Sequence, residues 1–203
     1  DSVLVVGLGN SDVTPDAIGP KVVDNLSITR HLIEYAPELV NENTRAVSAI
    51  VPGGLGTTGI ETSDIVKGIV EKTKPDLVIV VDALAAKDMN RISRTIQVSN
   101  TGITPGSGVK NNRFSLTRES LGVPVIAVGV PTVVGVPTIV NEAIEYVSEK
   151  IPDVKTPLEN ENYMQNILEN KDFDFMVTPN DIDDIISNIS RLVSEGINSA
   201  LHE

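Results

Sequence analysis

The chain has 203 residues, of which 40% are hydrophobic and 22% charged, so it can bury the core of an α/β domain. Its formal net charge of -12 would repel phosphate backbones and anionic lipid surfaces, which disfavours nucleic acids and membranes as partners. The absence of Cys excludes disulfides, Cys-based zinc sites and thiol nucleophiles, and no apolar run approaches the ~20 residues of a membrane-spanning helix.

Five runs rich in Val, Ile, Leu and Ala predict β-strands. In chain order they cover residues 3–6, 46–51, 77–81, 93–98 and 124–130. Most are continuous aliphatic runs, as in strands that are buried on both faces of a parallel sheet. The run at 93–98 instead alternates apolar with polar residues, which favours a strand at the edge of the sheet.

Apolar residues at helical spacing predict helices between these strands, at residues 14–26, 65–70, 139–147 and 179–201. The first helix has Thr14 as its predicted N-cap and Pro15 at its first helical position. The last helix begins at Thr178-Pro179-Asn180-Asp181, which resembles a capping box. Residues 101–112, rich in Gly, Ser, Thr and Asn, predict a loop. Residues 151–178 predict a surface connection that is only partly helical.

The alternation of strands and helices predicts a single α/β domain over residues 1–203, with three α/β/α layers around a mainly parallel sheet. Ligands of such sheets bind at the carboxyl ends of the strands. Residues far apart in sequence are therefore expected to meet at that edge. Those that follow the predicted strands are Gly9, Asn10, Asp16, Gly53, Gly54, Asp82 and Thr132.

Two common kinds of site fit this edge poorly. Gly7-Leu8-Gly9 follows the first strand like the start of a dinucleotide-binding turn. Asp12, however, stands where that motif needs its third Gly, and it would repel a pyrophosphate. A Ser-His pair needs a His as base, but His31 falls near the end of the first predicted helix and His202 next to the C-terminus. The sequence therefore predicts neither a nucleotide cofactor nor a serine protease.

Two carboxylates remain at the predicted edge. Asp16 stands in the first turn of a predicted helix, whose dipole favours the ionised carboxylate by roughly 0.3–1 kcal/mol. Asp82 ends the apolar third strand, where partial burial would raise its pKa. Helix stabilisation alone would explain Asp16, and a strand-end cap alone would explain Asp82. Together, their unlike environments are those that two carboxyl groups need to divide the roles of base and acid around one water.

The predicted loop offers a further substrate-binding segment. Backbone amides of Gly106, Ser107 and Gly108 could bind a substrate carbonyl or a developing oxyanion, although a flexible loop explains the same composition. Near the last helix, five aspartates predict solvated surface charge, namely Asp172, Asp174, Asp181, Asp183 and Asp184.

Six long motifs span nearly the whole chain, in the order VVGLGNSDVTPDAIGP, IVPGGLGTTGIET, DLVIVVDALAA, TGITPGSGVKNNR, IAVGVPTVV and MVTPNDID. Together they resemble the germination protease family of endospore-forming bacteria. The resemblance implies an endopeptidase that degrades small acid-soluble spore proteins in the spore core, a cytoplasmic compartment, during germination. It implies the fold of the hydrogenase maturation endopeptidases, with Asp16 and Asp82 as the catalytic pair.

The resemblance also implies a homotetramer and a zymogen with a removable pro-segment. Three features depart from the family pattern. The chain begins with Asp1-Ser2 at the first strand, which indicates processing or trimming; the connection over 151–178 is short; and Gly135 follows PTVV, where an Asp is expected. The fold relatives hold a metal between two acids and a His. Because neither histidine is expected at the edge, the sequence predicts hydrolysis without metal or other cofactor.

Two alternatives stay open at this point. A peptidase of the hydrogenase maturation type would act on a nickel-loaded substrate. A non-catalytic assembly or regulatory domain of the same fold would show no turnover. Which of the two aspartates is acid and which is base is not decided by the sequence.

Overall fold

A computed structural model describes residues 1–105, 115–150 and 175–202. The strands are β1 (Ser2–Gly7), β2 (Ala46–Ile50), β3 (Leu77–Ala86), β4 (Gln97–Ser99), β5 (Val125–Gly135) and β6 (Met176–Val177). The α-helices are α1 (Ile18–Asp24), α2 (Arg30–Tyr35), α3 (Leu55–Thr58), α4 (Thr62–Thr73), α5 (Arg118–Leu121), α6 (Val136–Lys150) and α7 (Ile182–His202). Three short 3-10 helices cover Thr14–Asp16, Pro37–Leu39 and Met89–Arg91.

The strands form one mainly parallel sheet in the order β2-β1-β3-β5-β4. The first four strands in this order are parallel, whereas β4 runs antiparallel at the edge next to β5. β6 pairs antiparallel with the far end of β5. The predicted parallel sheet and the edge position of the fourth strand are confirmed, although β4 is shorter than the predicted run over 93–98.

Helices cover both faces of the sheet. On one face, alternate strand residues such as Val5 and Val81 pack with Ile18 of α1 and Ile186 of α7. On the other face, the intervening strand residues pack with α4 and with the α5 region, in a cluster that includes Leu4, Val6, Val66, Val80 and Leu116. Successive strand residues thus point into two separate cores, as a sheet buried on both faces requires. The predicted three-layer α/β/α fold is confirmed.

The prediction of one continuous first helix over residues 14–26 is wrong. Thr14 is no helix N-cap, because Thr14–Asp16 forms a separate 3-10 helix and α1 starts only at Ile18. Pro20 gives the physical reason. In a helix that started at Pro15, Pro20 would lie in the interior, where it has no N–H to donate and its ring clashes with the preceding turn. By restarting at Ile18, the chain puts Pro20 in the first turn, where its missing N–H is harmless.

The predicted end of the third strand is also wrong. β3 continues through Asp82 to Ala86, and β5 runs alongside it to Val134, beyond the predicted end at residue 130. β1, by contrast, stops at Gly7, which pairs with Val81. Asp82 is therefore the first residue of β3 beyond the end of β1. The sheet narrows at this point, so the space over Asp82 is open to a ligand.

The C-terminal part of the chain agrees with the prediction where it is described. α7 covers the predicted helix over 179–201 within a few residues, and its buried face includes Ile182, Ile186 and Val193. Most of the predicted surface connection, residues 151–174, lies outside the described residues; its last residues include β6, which the sequence did not predict. In the described part of the chain, no helix has the length and apolarity needed to cross a membrane.

The end of β1 and the start of α1 touch backbone to backbone. A Cβ at Gly19 would lie 2.2 Å from the Leu8 carbonyl oxygen, and one at Gly7 would lie 2.3 Å from the Gly19 carbonyl oxygen. This close packing of the β1 backbone on the α1 backbone holds the loop between them, which carries Asp16, against the sheet.

Gly19→Ala is expected to lower the free energy of unfolding by about 3 kcal/mol or more, because the backbone atoms it meets cannot move aside independently. Gly68→Ala is the matched control. Gly68 also lies in a helix, but its Cβ would meet open space, so the substitution should stabilise the chain by about 1 kcal/mol. Urea denaturation measures both values, and equal stabilities of the two variants would contradict the close packing of β1 on α1.

Candidate functional site

A cavity of about 510 Å³ opens at the carboxyl ends of β1 and β3. It is lined by every predicted edge residue that the structure describes, namely Gly9, Asn10, Asp16, Gly53, Gly54, Asp82 and Thr132. Gly106 and Ser107, which the sequence also predicted as substrate-binding, lie outside the described residues. The structure therefore brings together seven residues that are spread over more than half of the chain.

Asp82 is the most buried acid of this cavity, with only 5% of its surface exposed. It stands inside β3 and faces the open space beyond β1. Burial, and to a smaller extent the negative charge of Asp16, raises the pKa of Asp82 from its ordinary value of 3.8 to about 8, against a backbone hydrogen bond from Ala83 that lowers it. The predicted upward shift is confirmed, and Asp82 is mainly protonated at neutral pH.

Asp16 lies in the 3-10 helix that precedes α1 and is half-buried. Burial raises the pKa of its carboxyl group, while a backbone hydrogen bond from Asn10 lowers it. The expectation that a helix dipole would bias Asp16 towards ionisation is therefore wrong in sign, because desolvation outweighs the local backbone. The two carboxyl groups still differ, since Asp82 is the more deeply buried and its pKa is the more strongly raised.

The backbone around Gly9 explains how Asp16 reaches the sheet. The Asn10 N–H donates to the Asp16 carbonyl oxygen (3.1 Å), and the Leu8 N–H donates to the Val81 carbonyl oxygen beside Asp82 (2.8 Å). Gly9 has a φ of 114°, and a Cβ there would lie 2.0 Å from the Asp16 carbonyl oxygen and 3.2 Å from its Oδ1. Only glycine permits this approach, which places the Asp16 carboxylate against the Gly9 backbone.

Gly53 and Gly54 form the wall of the cavity that follows β2. Gly53 has a φ of 74°, and its carbonyl oxygen accepts a hydrogen bond from Thr62 Oγ1 (3.1 Å). The Gly54 carbonyl oxygen accepts from the backbone N–H groups of Thr57 and Thr58 (3.0 Å each). Both carbonyl groups are thus used inside the fold, in a wall that is held to α3 and α4.

Thr132 occupies an irregularity in the pairing of β3 with β5. Leu84 pairs with Pro131 and Ala85 with Val133, so Thr132 is an extra residue in β5. Its carbonyl oxygen accepts a hydrogen bond from Thr178 Oγ1 (2.9 Å), and its side chain is fully buried.

Several residues of the cavity were missed by the sequence analysis. They are mostly apolar and come from the extensions of β3 and β5, from β6 and from the residue that follows it: Ala83, Leu84, Ala85, Val133, Met176 and Thr178. The apolar residues that continue past Asp82 and past residue 130 could have indicated that both strands extend further. No local signal marks Met176, because a two-residue strand depends on its partner.

The described residues offer no complete metal site. Among them, no three His, Asp or Glu side chains converge, so Asp16 and Asp82 stand as a pair without a third ligand. His202 Nε2 lies 3.1 Å from the Ser27 carbonyl oxygen, and His31 stands on α2; neither lines the cavity.

Comparison with known structures finds distant likenesses. The [NiFe] hydrogenase maturation protease HycI from Thermococcus kodakarensis aligns with a TM-score of 0.48 and 18% identity, over 98% of this chain and 92% of that one. The hydrogenase maturating endopeptidase HybD from E. coli aligns with a TM-score of 0.37 and 18% identity, over 76% of this chain and 94% of that one.

Comparison of sequences gives much stronger matches. The family model for germination protease matches residues 1–156. A germination protease from Clostridium perfringens is 51% identical over 98% of this chain and 66% of its own length. One from Caldanaerobacter subterraneus is 52% identical over 98% of this chain and 65% of its own length. The chain thus spans slightly less than two thirds of these relatives, and over that span it belongs to the germination protease family.

Proposed function

We propose that this chain is an endopeptidase that starts the degradation of small acid-soluble spore proteins during spore germination. The observation that carries the proposal is the meeting of Asp16 and Asp82 in one cavity, close enough for the charge of Asp16 to raise the pKa of Asp82. Membership of the germination protease family supports the activity, and the names of its relatives support the role in germination. Since the proposed substrates are proteins of the spore core, we propose that the chain acts there.

The two carboxyl groups divide the work by their different pKa values. Asp16, whose pKa is the less raised, is the base and takes a proton from a water molecule. The water oxygen attacks the carbonyl carbon of the scissile peptide bond and forms a tetrahedral intermediate. Asp82, which is mainly protonated at neutral pH, gives its proton to the leaving nitrogen as the C–N bond breaks. A proton then passes from Asp16 to Asp82 and restores the starting state.

We propose that the walls of the cavity hold the substrate. Gly9, Gly53 and Gly54 present backbone to the cavity that holds the carboxyl pair, and their N–H groups are the proposed donors to an extended substrate chain. Leu84 and Met176 add apolar surface for substrate side chains. A peptide in this position would carry its scissile bond over Asp82.

The test is cleavage of a purified small acid-soluble spore protein, followed by mass spectrometry with and without EDTA. We expect cleavage at one or a few sites that persists in EDTA and disappears in the Asp16→Asn/Asp82→Asn double variant. The double variant, checked for folding by circular dichroism, controls for a contaminating protease. No cleavage by the wild-type chain, or cleavage by the double variant, would overturn the proposal. Loss of cleavage in EDTA with recovery on adding a divalent metal would overturn the metal-free mechanism.

A further inference from the structure

The side-chain hydroxyl of Thr132 is buried without a hydrogen-bond partner. Thr132 has 0% of its surface exposed, and within the described part of the chain its Oγ1 has no donor or acceptor in reach. Buried polar groups in folded proteins are almost always paired, because an unpaired one loses its hydration without compensation. An exception at this position therefore requires an explanation.

The position of Thr132 provides that explanation. Two other buried hydroxyls lack a partner among the described residues, those of Ser63 and Ser93, and neither residue lines the cavity. Thr132 lines it together with both aspartates. The unpaired hydroxyl thus belongs to a residue of the cavity wall, where a bound substrate can supply the missing partner.

The backbone around Thr132 is fixed from two sides. Thr178 Oγ1 donates to its carbonyl oxygen (2.9 Å), and the Ser93 N–H donates to the carbonyl oxygen of the preceding residue, Pro131 (2.7 Å). A β-branched side chain also has few rotamers. The hydroxyl is consequently held in place before substrate binds, which is the property of an effective electrostatic catalyst.

The proposed reaction needs such a donor. Addition of water to the scissile carbonyl places a negative charge on its oxygen, next to two acidic groups. The other threonines of the cavity already use their hydroxyls: Thr62 Oγ1 donates to Gly53, and Thr178 Oγ1 donates to Thr132. Among the described threonines of the cavity, Thr132 alone has a buried hydroxyl without a partner.

We propose that Thr132 is a further catalytic residue, whose hydroxyl donates a hydrogen bond to the carbonyl oxygen of the scissile peptide as negative charge develops there. The inference rests on the proposed function, since it takes the substrate to be a peptide cleaved between Asp16 and Asp82. In this proposal Thr132 stabilises the developing negative charge and takes no part in proton transfer.

Thr132→Val tests the role, because valine keeps the shape and removes the donor. On a purified small acid-soluble spore protein we expect kcat to fall about 100-fold, as for other single oxyanion donors, with KM changed much less. Thr132→Ser, which keeps the hydroxyl, should return most of the lost kcat. The Tm of Thr132→Val should equal or exceed that of the wild type, since an unpaired buried hydroxyl has been removed. Ser63→Ala removes the same kind of group outside the cavity and should leave kcat unchanged.

Three results would overturn the inference. One is a kcat of Thr132→Val close to that of the wild type. Another is a lowered Tm with no rescue by serine, which would identify a structural hydroxyl. The third is a shift of the pH–rate profile without loss of the maximal rate, which would mean that Thr132 acts through a carboxyl group. Cleavage by the Asp16→Asn/Asp82→Asn variant is the separate sign that the proposed function itself has failed.

Discussion

Asp82→Asn is expected to lower kcat for a small acid-soluble spore protein by about 1,000-fold while the chain stays folded. At neutral pH the wild-type side chain is mainly a neutral carboxylic acid, because burial raises its pKa to about 8. Asparagine matches that form in size and charge, so β3 and its packing should persist. The amide cannot supply a proton to the leaving nitrogen, however, and the cleavage step loses its acid. Asp16→Asn should have an effect of similar size, because it removes the base.

Asp76→Asn is the control for this comparison. Asp76 is exposed and accepts hydrogen bonds from the backbone N–H (2.6 Å) and the hydroxyl (3.2 Å) of Ser2, at the end of β1 opposite to the cavity. Its replacement should leave kcat at the wild-type value. If Asp82→Asn and Asp76→Asn showed the same activity, Asp82 would have no part in the reaction. A wild-type pH–rate profile with a single ionisation would likewise contradict a mechanism based on two carboxyl groups.

The predictable part of this site follows from the chemistry of parallel sheets. Buried strands need continuous aliphatic runs, which are visible in the sequence, and the ends of parallel strands meet at one edge. This was sufficient to bring Asp16 and Asp82 together with Gly9 and Gly53, although the strand order was not predicted. The resemblance to the germination proteases selected the same two acids independently.

The parts that could not be predicted depend on distant partners. β3 and β5 extend past the rest of the sheet because each pairs with the other, and β6 exists because it pairs with the end of β5. The direction of the pKa shift expected for Asp16 was wrong for a similar reason, since the helix dipole is a local effect and burial is a tertiary one. The break before α1, by contrast, could have been predicted, because Pro20 excludes a continuous helix from Pro15.

The substitution that removes the proposed acid is also expected to stabilise the fold, increasingly so as the pH rises. The folded-state pKa of Asp82, about 8, lies above the ordinary value of 3.8 that applies to the unfolded chain. Between these values the unfolded chain has released the proton and the folded chain still holds it. The free energy of unfolding of the wild type therefore falls by about 1.4 kcal/mol per pH unit from this group.

Asparagine does not titrate, so the free energy of unfolding of Asp82→Asn does not fall with pH for this reason. The two proteins should have nearly equal free energies of unfolding around pH 4, and the variant should be the more stable by several kcal/mol at pH 8, as measured by urea denaturation at pH 4, 6 and 8.

The stability contribution of Asp76 has the opposite dependence on pH, because hydrogen bonds from Ser2 lower its pKa. Its contribution to stability is present above the unfolded value and is lost as the pH falls through the folded one. A gain for Asp82→Asn that did not grow between pH 4 and pH 8 would show that Asp82 is ionised in the folded chain. The acid role would then have to pass to Asp16, because a carboxylate that has already lost its proton cannot protonate the leaving nitrogen.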